Sequence, residues 1–281
     1  METFFTFLAR RVDDCSSLLC VGLDPHPSEL PKPTAQAALD FCVRLIKATS
    51  HYAVAFKPNA AFFESYGPDG WLALKEVIEA VQAESNRLGS MIPVILDAKR
   101  GDIASTAEAY ARSAFEKLGA HAITLNPYLG KDSIDPFLAY KEKGVFLLCK
   151  TSNPGAADFQ DMLVSPVGAD RDPPVPLYEH VARLAQEWNS GNNLGLVVGA
   201  TQPESLERVR TVAPDLWFLV PGVGAQGGDL ETALRLGLRK DGKGLLLNIS
   251  RGISRAEDPA LAAAEFRDQC LTIRGEMGLK K

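Results

Sequence analysis

No apolar run in this chain approaches bilayer-spanning length, and Met1-Glu2-Thr3-Phe4-Phe5 lacks the basic start and long apolar core of a secretory signal. An excess of positive charge is also missing. Lysine and arginine number 30 against 35 aspartates and glutamates, and the net charge of -5 argues against non-specific nucleic-acid binding. The four histidines (His26, His51, His121, His180) show no metal-binding spacing. The five cysteines (Cys15, Cys20, Cys42, Cys149, Cys270) are odd in number and include no C-x-x-C pair. Cys20 and Cys149 sit inside apolar runs and read as small buried hydrophobes. These absences predict a reduced, cytoplasmic protein with no structural metal and no membrane or nucleic-acid partner. An anionic small ligand held by a local basic site stays open.

What is present is a repeat: apolar run, polar tip, amphipathic helix. A helix over Phe4 to Asp14 precedes the first strand, Leu18 to Leu23, tipped by Asp24-Pro25; the next helix, Thr34 to Ser50, has Thr34 as its N-cap. Strand two is Ala53 to Phe56, tipped by Lys57-Pro58-Asn59, with a helix over Gly70 to Leu88. Strand three climbs from Pro93 into Asp97-Ala98-Lys99-Arg100-Gly101-Asp102, and a helical pattern follows, Ile103 to Leu118, with Gly119 as C-cap. Strand four is Ala122 to Leu125, followed by a helix over Ile134 to Lys143. Strand five, Val145 to Cys149, is tipped by Lys150-Thr151-Ser152-Asn153-Pro154. An irregular stretch, Gly155 to Pro176, comes next, and a loop of that length is usually functional or mobile. The helix Leu177 to Ser190 leads to strand six, Leu194 to Val198. Strand seven is Trp217 to Val220, strand eight is Leu245 to Ile249, and a last helix spans Pro259 to Met277.

Eight buried-type strands at a spacing of roughly 25 to 40 residues, each followed by a helix, fit β-α units, and no composition break marks a second domain. The prediction is a single (β/α)8 TIM barrel over residues 1–281, with its functional groups at the C-terminal strand ends. Asp24, Lys57, Asp97, Lys99, Ser152, Gln226 and Arg251 then converge over one mouth.

Within that set the stretch around strand three is the densest in charge. Side chains alternate along a strand, so Asp97 and Lys99 are expected to share a face while Ala98 points away. Charges at the mouth of a buried strand are costly to desolvate unless paired. A structural salt-bridge network is the plain alternative to a catalytic one, and convergence of the other polar tips weighs against it.

Gly222-x-Gly224-x-x-Gly227 follows strand seven and matches the dinucleotide fingerprint. A dinucleotide fold begins with that unit and places an acidic residue at the next strand tip; the nearest candidate here, Asp241, lies in a polar turn instead. Barrels bind phosphate with the loops after strands seven and eight. Gly222, Gly224, Gly227 and Gly228 are expected to supply bare backbone there, and Arg251 a forked cation. A tight turn plus a surface arginine is the alternative.

Asp97-Ala98-Lys99-Arg100-Gly101-Asp102-Ile103 resembles the D-x-K-x-x-D signature of the orotidine 5'-phosphate decarboxylases, and the length and the segment after strand five are similar to their longer bacterial-type subfamily. Asp24, Phe56-Lys57-Pro58-Asn59, Thr151-Ser152-Asn153-Pro154, Pro221 to Asp229 and Arg251 support the resemblance. It implies a cofactor-free carboxy-lyase that makes uridine 5'-monophosphate (UMP) and CO2, and a homodimer with shared active sites. Lys57, Asp97, Lys99 and Asp102 would form an alternating charge network beneath the pyrimidine, with Asp102 and a contact from Thr106 donated by the partner subunit. Asp24 would hold the ribose with help from Lys57, Ser152 would bond the pyrimidine, Pro221 would line the site, Gln226 would bridge base and phosphate, and Arg251 would clamp the phosphate.

Two rivals remain. Metal-dependent phosphosugar decarboxylases and synthases share the barrel and the D-x-K-x-x-D core but need an acidic residue after strand two, where this chain has Lys57; a protonated lysine cannot ligate a hard cation. A catalytically silent, phosphate-binding barrel would be expected to lack one of the four charged positions, and all four are present.

Overall fold

Phe4 and Phe5, at the start of the first helix (Phe4–Cys15), plug the bottom of a cylinder of strands. Phe5 meets Phe146 edge-on at 5.4 Å and stacks on Trp217 at 5.9 Å. Gly144 and Gly195 make room: a β-carbon at either position would collide with the Phe4 or Phe5 ring. Burying each ring contributes about 1.5–3 kcal/mol. With one end sealed by apolar packing, only the other end is left for chemistry.

The computed structural model describes residues 2–165, 173–224 and 227–279. Among these, the strands are β1 (Leu19–Leu23), β2 (Ala55–Pro58), β3 (Ile95–Arg100), β4 (Ala122–Leu125), β5 (Gly144–Lys150), β6 (Leu163–Val164), β7 (Val175–Pro176), β8 (Leu194–Val198), β9 (Phe218–Pro221) and β10 (Leu245–Ile249). β6 and β7 make a small antiparallel ribbon, and the rest form one sheet in the order β2-β1-β10-β9-β8-β5-β4-β3. The two outer strands of that order meet: Phe56 N donates to Pro93 O at 3.0 Å, and single parallel bridges join Phe56 to Val94 and Asn59 to Asp97. The sheet closes into the (β/α)8 barrel that the repeat predicts, with β9 and β10 as its seventh and eighth strands. β1, β8 and β10 are buried along their whole length, as expected of parallel strands covered by helices outside and side chains inside.

Helix ends follow local chemistry. Thr34 caps the helix Ala35–Thr49 by accepting from Ala37 N at 3.2 Å, and Gly119 takes φ +80° after the helix from Ala104. Three expectations need correction. The helix expected over Ile134 to Lys143 is only Asp135–Leu138. Its extension is pre-empted because Asn193 Nδ2 donates to the carbonyls of Leu138 and Tyr140. The pattern from Ile103 to Leu118 is α-helical only over Ala104–Arg112 and finishes in a π turn, Ser113–Lys117. The irregular stretch holds a 3-10 turn (Pro154–Asp158) and the β6–β7 ribbon. A short helix, Ala60–Glu64, also sits directly after β2, ahead of the helix expected over Gly70 to Leu88.

Candidate active site

The barrel mouth is built from the bulge in β3. Its pairing with β4 slips between Leu96 and Arg100, and Lys99 lies at φ +48°. Plain alternation therefore fails here. Asp97 and Lys99 still meet, because the bulge turns the lysine back: Lys99 Nζ is 2.6 Å from Asp97 Oδ1. Thr124 on β4 holds the bulge, since its Oγ1 accepts from the N–H groups of Ala98 and Lys99 at 3.1 and 2.9 Å.

Across the barrel seam, Lys57 Nζ reaches Asp97 Oδ2 at 2.7 Å, so the carboxylate lies between two ammonium groups. Burial alone would lower the Lys57 pKa, but the charges of Asp97 and Asp24 outweigh it and hold the ammonium well above the usual lysine range. Burial likewise favours protonation of Asp97, and Lys57 and Lys99 together overcome it and keep its carboxyl well below the usual range. Lys57 and Asp97 have side chains only 6% and 11% exposed, whereas Lys99 is 49% exposed. The buried pair is structurally fixed, and Lys99 is the most exposed member of the three.

Lys57, Asp97, Lys99, Thr124, Ser152 and Pro221 line a cavity of ≈ 380 Å³. A second lobe of ≈ 260 Å³ is lined by Asp24, Asn248, Ser250, Arg251 and Gly222, and shares Pro221 with the first. The structure thus brings Asp24, Lys57, Asp97, Lys99, Ser152, Pro221 and Arg251 to one mouth. Asp102 and Thr106 lie outside both lobes of this single chain. Asp102 Oδ1 accepts from Ile103 N at 2.8 Å, and among the described residues no ion pair ties it to Lys57 or Lys99. Gln226 falls outside the described residues.

The glycines after β9 act differently from expectation. Gly222, Gly224 and Gly227 take φ +97°, +73° and +88°, a region that favours glycine. The N–H groups of Gly224, Gly227 and Gly228 are spent inside the loop, on the carbonyls of Gly228, Gly224 and Gly222. These glycines shape the turn rather than each presenting a donor. The dinucleotide alternative fares worse: Asp241 pairs with Arg239 at 2.7 Å in the turn that enters β10, at the far end of that strand from Arg251.

Three contributors escaped the sequence reading. Thr124 was visible as the one polar residue in an apolar strand. Gln160 gave no signal: it lines the first lobe and clasps Thr151, accepting from its N–H at 2.9 Å and donating to its Oγ1 at 2.8 Å. Lys150, 1% exposed, anchors the same segment through Asp161 Oδ1 at 2.5 Å.

Comparison with known proteins agrees with this geometry. Residues 17–266 match the family described as Orotidine 5'-phosphate decarboxylase / HUMPS. The orotidine 5'-phosphate decarboxylase of Roseiflexus sp. (strain RS-1) is 48% identical over 262 residues, which cover 92% of this chain and 91% of that protein. The solved OMP decarboxylase of Leishmania donovani shares 52% identity at a TM-score of 0.85, covering 98% of this chain and 99% of its own. The UMP synthase of the same organism matches at 54% identity and a TM-score of 0.87, but this chain spans only 57% of its length. The chain belongs to the orotidine 5'-phosphate decarboxylase / HUMPS family.

Proposed function

We propose that this protein decarboxylates orotidine 5'-phosphate to UMP and CO2 without a cofactor, the last step of UMP synthesis. The observation that carries this is the Lys57–Asp97–Lys99 array beside a lobe lined by Asp24 and Arg251. Breaking the bond between C6 and the carboxylate leaves an electron pair on C6 with little resonance relief, so catalysis must stabilise that charge electrostatically. Lys99, tethered to Asp97 yet half exposed to the cavity, is suited to stand at C6 as an ammonium and then to deliver its proton there. Asp97 keeps it charged and aimed, because a nearby opposite charge favours the ionised form. Lys57 neutralises the other side of the carboxylate. Asp24 would hold the ribose, Ser152 and Gln226 the base, and Arg251 the phosphate, whose binding energy would favour closure over the ring.

A homodimer would complete the network. Ile103, Tyr128 and Leu129, beyond the tips of the adjacent strands β3 and β4, are 53%, 81% and 47% exposed, and Ile103 adjoins Asp102 in sequence. Covering them with a second copy would bring each Asp102 and Thr106 toward the neighbouring site. Five unpaired cysteines suit a reducing, cytoplasmic setting. Among the described residues no helix is long and apolar enough to cross a membrane.

The test is ultraviolet absorbance of orotidine 5'-phosphate with metal-stripped protein in excess chelator. A chelator-resistant fall, with UMP as product and its loss in Lys99→Ala, supports the proposal. Folded, dimeric protein that leaves the absorbance unchanged overturns it, and phosphosugars with magnesium then become the substrates to try.

A further inference from the structure

Asn248 is out of character with its strand. β10 reads Leu245-Leu246-Leu247-Asn248-Ile249, and asparagine is disfavoured in strands. Its side chain is buried, with the residue 8% exposed, and Oδ1 has no hydrogen-bond partner among the described residues; neither has Oδ1 of Asp24. A buried acceptor is costly to leave unpaired, and a leucine there would avoid that cost.

Register shows which way the side chain points. Asn248 is paired with Cys20 on β1 and with Pro221 on β9. Cys20 shares a strand face with Gly22, two residues on, which is paired with Lys57. Paired residues share a face, so Asn248 lies on the inner face with Lys57 and Pro221 and lines the lobe between Asp24 and Arg251.

The chemistry of that lobe narrows what can meet an unpaired amide oxygen. A phosphate dianion carries no hydrogen to offer it, and Arg251 is suited to take that group. A sugar hydroxyl is a donor, and two orphaned acceptors in one lobe suit a vicinal diol. We propose that Asn248 is a ribose-binding residue, its Oδ1 accepting from a ribose hydroxyl next to the one held by Asp24. The assignment deepens the decarboxylase proposal and rests on it.

The experiment titrates UMP, 2'-deoxy-UMP and 3'-deoxy-UMP into wild type and Asn248→Leu, alongside wild-type turnover of orotidine 5'-phosphate. The expected result is about a tenfold loss of UMP affinity in the variant, the size of one hydrogen bond. One of the two deoxy nucleotides should bind both proteins equally, since it lacks the hydroxyl concerned. A merely structural role would weaken all three ligands alike, and that pattern, or unchanged UMP affinity, overturns the assignment. Asn248→Ala carries the same comparison if leucine is not accommodated. Wild type that turns over its substrate while the variant binds like wild type sinks only the Asn248 assignment; wild type that binds no nucleotide and shows no turnover sinks both.

Discussion

Thr124 Oγ1 donates to Asp97 Oδ1 at 3.0 Å while accepting from the N–H groups of Ala98 and Lys99. One hydroxyl on β4 thus fixes both the carboxylate and the backbone bulge that aims the lysine. Thr124→Val keeps the shape but leaves two N–H groups unpaired and Asp97 free to turn. A small misplacement of catalytic groups can cost on the order of 100-fold. We expect kcat on orotidine 5'-phosphate to fall about 10- to 100-fold with KM little changed, and Thr124→Ser to recover most of it. Steady-state kinetics of both variants decide. A valine variant with wild-type kcat would reduce Thr124 to packing.

The exposures of the three charged groups separate stability from activity. Lys99 is 49% exposed, so its pair with Asp97 is partly solvated, and such pairs are worth about 0–1 kcal/mol. Asp97→Asn instead leaves the Lys57 ammonium buried without its close partner, a change that costs about 3–5 kcal/mol. Both Lys99→Met and Asp97→Asn should lose turnover, but only the second should move the urea midpoint strongly. Equal destabilisation would mean that Lys99 is a structural member of the network.

Gly22 lies where β1 passes the second lobe. A β-carbon there would come 2.8 Å from Ser250 Cβ and 3.2 Å from Asp24 Oδ2. Ser250 adjoins Arg251, so Gly22→Ala presses on both ends of the lobe at once. We expect about a tenfold loss of UMP affinity together with an overpacking cost of about 1–3 kcal/mol. Nucleotide titration and thermal melting measure the two effects. Unchanged affinity would show that Ser250 yields without moving its neighbours.

The barrel was legible because parallel strands buried on both faces are written as short continuous apolar runs, and each polar tip marks where a strand leaves the core. Asp24, Lys57, Asp97 and Arg251 were legible for the same reason: a charge at the end of a buried run has to be paired or used. The bulge was not, because Lys99 at φ +48° is held by a hydroxyl from another strand, and period-two alternation carries no information about it. Gln160 and Lys150 were hidden because their partners, Thr151 and Asp161, come together through a loop without periodicity. The glycine motif marks a turn and not a set of donors, since sequence shows which residues can adopt positive φ but not where their N–H groups are spent.

His121 gives the fold a pH response at the end of the barrel away from the site. It is partly buried just before β4, and its Nδ1 accepts from Val94 N at 3.1 Å, so the native fold needs the ring neutral at that atom. Burial first, and then the nearby Lys143 ammonium, lower its pKa from 6.5 to about 4. A base with a depressed folded pKa contributes its full stability above its unfolded pKa, and loses it as pH falls from 6.5 toward about 4. The loss amounts to about 3 kcal/mol at most. Asp97, held below the usual carboxylate range, gives up its contribution only at lower pH still. His121→Asn keeps an acceptor toward Val94 but does not titrate. Urea midpoints of wild type and variant should therefore converge as pH falls through this window, with wild type the steeper of the two. Parallel slopes would show that the ring already carries its proton in the folded protein.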